Sequence, residues 1–136
     1  MTREQKLIAW AGSMIGVPFA WGQTDCALLT LTGIDAMLGT CHAERYRGAW
    51  DSQEQALAHF TSEIPSSVLE GLGAVERDPS LSSVGDVLTV PADVWPEQMS
   101  LILGSRVLCA DISRGVCLKP LRLFARAPGA RAWRFA

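Results

Sequence analysis

The sequence predicts an α+β fold, with N-terminal helices packed on a C-terminal antiparallel sheet. Helical spacing of apolar residues fills the first part of the chain, and short β-type runs occur only after Pro79. A parallel sheet with crossover helices would interleave the two patterns instead of segregating them. At 136 residues the chain has room for one core and is read as a single domain over residues 1–136.

Thr2 followed by Gln5 forms a capping-box pattern, and Leu7, Ile8, Ala11, Met14 and Ile15 recur at helical spacing, predicting a helix from Thr2 to Ile15. Gly16, Pro18 and Gly22 break that pattern, so 16–23 is a loop carrying Phe19 and Trp21. From Asp25 to Leu38 the chain is apolar on nearly every side and stops at Gly39, which predicts a buried central helix. After a turn-rich stretch from Thr40 to Trp50, a helix capped by Asp51 or Ser52 presents Leu57, Phe60 and Ile64. Pro65 opens another, through Leu72. The β-type runs are Val87–Val90, Met99–Leu103, Val107–Ala110, Val116–Leu118 and Ala132–Phe135.

With 49% hydrophobic and 19% charged residues, the composition excludes a disordered chain. The N-terminus lacks the apolar stretch of a signal peptide and no run suffices to span a bilayer, so the protein is expected to be made in a cytosol. Cys26, Cys41, Cys109 and Cys117 contain no C-x-x-C pair, which argues against zinc; no metal or cofactor is expected. Cys109 and Cys117 lie symmetrically about Ser113 in a predicted hairpin, facing each other as free thiols in a reducing compartment.

The net charge of −2 lacks the basic excess of a nucleic-acid binder. Its distribution is uneven: residues 1–105 hold 5 basic and 13 acidic residues, a net −8, whereas 106–136 hold 7 basic and 1 acidic, a net +6. Solvated strand ends account for such a run, and so does a face that docks an acidic partner.

The chemistry points to Pro18-Phe19-Ala20-Trp21-Gly22-Gln23-Thr24-Asp25-Cys26. A thiol in the first turn of a helix meets unpaired N–H groups and the positive end of the helix dipole, both of which favour thiolate. A cysteine in an apolar helix also reads as core packing.

The Trp21-Gly22-x-x-Asp25-Cys26 helix start, the Gly85-Asp86-Val87 strand opening and a strand ending in Leu103-Gly104 resemble NlpC-type cysteine peptidases, papain-like hydrolases of cell-wall peptides. The Pro-Phe-x-Trp-Gly-x-x-Asp-Cys start and the Trp133-Arg134 ending resemble the small NlpC-like proteins of phage and prophage tail gene clusters. The resemblance spans Pro18 to Arg134 and implies Cys26 as nucleophile, preceded by the motif acid Asp25. It also implies a histidine at the start of the strand after the Gly-Asp strand, where Gln98 stands, and an orienting polar residue on the next strand, where Cys109 stands. Neither glutamine nor a neutral thiol shuttles protons near pH 7 as imidazole does.

Of the two histidines, His42 follows a helix whose far end lies roughly 20 Å from Cys26. His59 flanks the apolar stripe of the third helix, where spacing does not exclude an approach to Cys26, and is expected on an exposed helix surface. The resemblance thus implies a structural or assembly component of a phage tail tip on a degenerate NlpC-like fold, contacting hub and distal tail proteins through its basic C-terminal part. The alternative is an active cysteine endopeptidase or amidase that opens wall peptides during infection; a free-standing enzyme or binding module of prophage origin has the same residues.

Overall fold

Caps fix the helices where the sequence places them. In the computed structural model, which describes residues 1–136, Thr2 Oγ1 accepts from Gln5 N at 3.1 Å and Gln5 Oε1 accepts from Thr2 N at 2.9 Å, opening α1, Arg3–Met14. Asp25 caps α2, Cys26–Leu38, which ends at Gly39. Apolar on most sides, α2 is the central buried helix. Ser52 caps α3, Gln53–Ser62, and α4, Pro65–Gly71, begins on its proline. The buried positions of α3 are Ala56 and Phe60; Ile64, expected on the same stripe, is 40% exposed because it lies past the end of α3 as the cap of α4.

Strands β1, Val75–Arg77, β2, Val87–Val90, β3, Gln98–Leu103, β4, Arg106–Asp111, β5, Gly115–Pro120, and β6, Arg131–Arg134, form one sheet in the order β1-β6-β2-β3-β4-β5. Every neighbouring pair is antiparallel. The sequence reading misses β1, the 3₁₀ turns His42–Arg45 and Pro79–Leu81, and the short α5, Arg122–Ala125. Three or four residues are too few to display a hydrophobic period.

Alternation along the strands divides the sheet into two faces. Val87, Met99, Leu101, Leu108, Val116 and Trp133 enter the main core with Leu28, Leu29 and Leu31 of α2. Leu88, Ile102, Val107 and Ala132 form a smaller cluster on the other face, covered by Leu121 and Phe124. Two of the resembling motifs, Gly85-Asp86-Val87 and Trp133-Arg134, meet in one ion pair. Asp86, buried beside Gly85 at the start of β2, accepts from Arg134 Nε at 3.0 Å and Arg134 Nη2 at 2.9 Å.

One interruption shapes the site. Pairing of β3 with β4 runs from Leu103↔Arg106 to Leu101↔Leu108 and stops, while β4 and β5 stay paired to Asp111↔Gly115. The β4–β5 hairpin therefore peels away from β3 beside the start of α2. Cys109 and Cys117 face each other in this hairpin as free thiols.

Candidate functional site

Asp25 organises the helix start. Its carboxylate accepts from Gly22 N at 2.6 Å, Leu28 N at 3.0 Å and Trp50 Nε1 at 2.7 Å, and the residue is buried. Gly22 has a φ of 74°, and a Cβ there would collide with the Trp50 carbonyl oxygen. The Trp-Gly-x-x-Asp spacing thus closes a tight loop under the first turn of α2. Trp50 is the partner that sequence reasoning leaves without a role, because its contact with Asp25 spans 25 residues.

Cys26 follows as the first residue of α2 and lines a cleft of about 170 Å³. Trp21 stacks on Trp95 at 5.9 Å and meets Phe19 edge-on at 4.8 Å, forming an aromatic wall. Gln98, Ser100, Cys109 and Lys119 also line the cleft, and Lys119 Nζ is 3.1 Å from Asp111 Oδ2. That space suits a side chain or a small group, since pockets for whole drug-sized ligands start at about 300 Å³.

The electrostatics at Cys26 reverse the expectation drawn from its helix start. Burial, and then the adjacent Asp25 carboxylate, push its thiol from 9.0 up to about 11. The N–H groups of Met99, Ala27 and Cys26 itself pull in the other direction and are outweighed. At pH 7 the thiolate is then only about one part in 10⁴. The helix terminus does favour an anion, and the anion held there is Asp25.

The structure brings Gln98 and Cys109 to the same cleft as Cys26, whose wall also holds Val90 and Phe124 from the sheet face away from the main core. Met99 is the β3 residue packed on the α2 side, buried, with its backbone N–H bonded to the Cys26 sulfur. Ala110 is the corresponding residue of β4. Burial pushes the Cys109 thiol up to about 12. Neither cysteine is poised as a thiolate, and the β3 and β4 residues lining the cleft, Gln98, Met99, Ser100, Cys109 and Ala110, include no imidazole or carboxylate.

His42 sits in the 3₁₀ turn beyond the far end of α2. His59 is not on an open surface, as expected, but half-buried among aromatic rings. Its ring centroid is 5.0 Å from Trp50, 5.5 Å from Tyr46 and 5.0 Å from Phe60, and Nε2 is 3.3 Å from Glu63 Oε2. Trp50 reaches Asp25 through its indole nitrogen while its ring packs on His59, and His59 is not among the groups that act on the Cys26 thiol.

The family model described as a domain of unknown function, DUF6950, matches residues 1–135. The chain belongs to DUF6950. No curated protein matches it in sequence. Among solved structures, RipD from Mycobacterium tuberculosis superposes on this DUF6950 chain with a TM-score of 0.55 and 18% identity, covering 100% of this chain and 99% of that one. RipD is described as a non-catalytic NlpC/p60 domain protein with an adaptation to peptidoglycan-binding function. At this identity the likeness establishes the fold: the DUF6950 chain is an α+β, NlpC-like domain of papain-like architecture. No helix is long and apolar enough to cross a membrane.

Proposed function

We propose that this DUF6950 chain is a non-catalytic NlpC-like domain, a single unit over residues 1–136, that serves as a structural or assembly component of a phage tail tip. It is made in the host cytoplasm and carried in the virion tail, in contact with hub and distal tail proteins. The observation that carries the non-catalytic reading is the lining of the Cys26 cleft, where Gln98 and Cys109 stand at the positions the resemblance gives to the base and its orienting residue; burial also holds the Cys26 thiol above its ordinary range. Amide hydrolysis through an acyl-enzyme needs a thiolate to attack and an acid to protonate the departing amine. Support for the tail comes from the sequence resemblance over Pro18–Cys26 and Trp133–Arg134.

The test has two parts. Purified protein incubated with murein tetrapeptides is expected to leave them intact by chromatography; products that vanish in Cys26→Ala would establish the hydrolase instead. Mass spectrometry of purified particles of the encoding phage is expected to find the chain in the tail, and its absence there would overturn the assembly role.

A second reading is favoured by the aromatic cleft over Cys26 and by the peptidoglycan-binding description of RipD: the cleft holds a wall-peptide side chain without cutting it. Co-sedimentation with isolated sacculi that is lost in Trp21→Ala would select this reading over the assembly one.

A further inference from the structure

The seven basic residues beyond position 105 divide sharply by what they touch. Lys119 is paired with Asp111 at 3.1 Å, Arg131 with Glu97 at 3.2 Å and Arg134 with Asp86 at 2.9 Å, so these three serve the fold. Arg114 stands alone on the β4–β5 turn. Arg106, Arg122 and Arg126 are exposed and make no ion pair, and all three line one groove of about 820 Å³ between the Pro79–Leu81 turn and α5. Ser80, Ser82 and Ser105 add hydroxyl groups to its walls. Asp78 contributes one carboxylate, already accepting from Ser80 N at 2.9 Å and Ser80 Oγ at 2.7 Å. Three guanidinium groups against one engaged carboxylate leave the groove locally positive.

We infer that this groove, with Arg106, Arg122 and Arg126, docks a short acidic segment of a protein partner. Guanidinium forks match carboxylates in planar, two-bond geometry, and the groove has room for several residues of extended chain. A long polyanion fits less well. Residues 1–105 carry a net −8, so a long polymer extending from the groove over that part of the chain would meet more repulsion than a short segment does. The site is separate from the Cys26 cleft. Arg106 opens β4 whereas Ala110, in the cleft wall, stands near its other end, about 13 Å along the strand, and α5 lies between the two, giving Phe124 to the cleft and Arg122 to the groove. The inference therefore stands or falls independently of any role for Cys26 and of the phage-tail reading.

The experiment is fluorescence anisotropy of the full chain with labelled octaglutamate at about 50 and about 200 mM salt. Comparison probes are an alternating Glu-Lys octapeptide and an octaphosphate chain. Octaglutamate is expected to bind the wild type, more weakly at the higher salt, and the Glu-Lys peptide is not. The combined Arg106→Glu, Arg122→Glu and Arg126→Glu variant is expected to lose at least about tenfold in affinity, while Arg114→Glu, the same kind of charge change outside the groove, loses less than about twofold. Circular dichroism checks the fold of each variant, and single Arg122→Gln and Arg126→Gln substitutions replace the combined variant should it unfold. The inference is overturned by no binding of octaglutamate or by equal losses in Arg114→Glu. It is likewise overturned by tighter binding of octaphosphate than of octaglutamate, which would mark a phosphate site. Concentration-dependent dimers in light scattering that the combined variant abolishes would assign the groove to a second copy of this chain and overturn it too.

Discussion

The Trp50 indole donates to the Asp25 carboxylate at 2.7 Å, fixing the cap of α2 immediately before Cys26. This contact holds a buried negative charge beside the thiol. Asp25→Asn is therefore expected to lower the Cys26 pKa, shown by iodoacetamide alkylation accelerating at a lower pH than in wild type. Because burial is the larger cause, the midpoint should remain above 9.0. A midpoint that stays put or rises would show that Asp25 does not set the thiol's ionisation.

The pleat of β3 predicts which position can supply a base. Gln98→His places an imidazole in the cleft that Cys26 lines, whereas Met99→His buries it in the main core. Faster alkylation of Cys26 near neutral pH is expected in Gln98→His alone. Equal acceleration in both would contradict the assignment of faces.

Asp86 and Arg134 join the start of β2 to the last strand. Removing the buried carboxylate in Asp86→Ala leaves the Ser83 N–H without its acceptor and Arg134 with only the Leu81 carbonyl and the Ser83 hydroxyl. The expected loss is about 2–3 kcal/mol, below that of a fully buried pair because Arg134 can rehydrate. Urea denaturation reads it directly, and a loss near zero would make the pair a surface contact.

Stability should fall in alkali. In the folded chain Cys26 and Cys109 ionise only near about 11 and about 12, against 9.0 for an ordinary thiol. Between these values the unfolded chain has released protons that the folded chain retains, so unfolding becomes easier as pH rises above about 9. Denaturation midpoints are expected to decline from that point and to decline less steeply in Cys26→Ala. A flat profile to pH 11 would mean that the folded thiols ionise normally.

Local chemistry made much of this protein legible in its sequence. Thr2, Asp25 and Ser52 begin helices because each offers an oxygen to an orphan N–H, and the apolar faces of α1 and α2 follow from a helical period contained within each segment. The strand runs and the segregation of helices from strands gave the fold class in the same way, and the Asp25-Cys26 helix start placed the thiol at the cleft. Tertiary structure alone decided the chemistry there. The thiol's ionisation depends on burial and on a carboxylate whose partner, Trp50, is distant in sequence; the helix dipole is a local quantity and desolvation is not. Register decided that Met99 faces α2, since a shift of one residue exchanges the two faces of a strand. The free arginines of the basic C-terminal part were likewise sorted from the paired ones only when the chain brought Glu97, Asp86 and Asp111 to their partners. Charge is written in the sequence, but its neutralisation depends on distances that only folding sets.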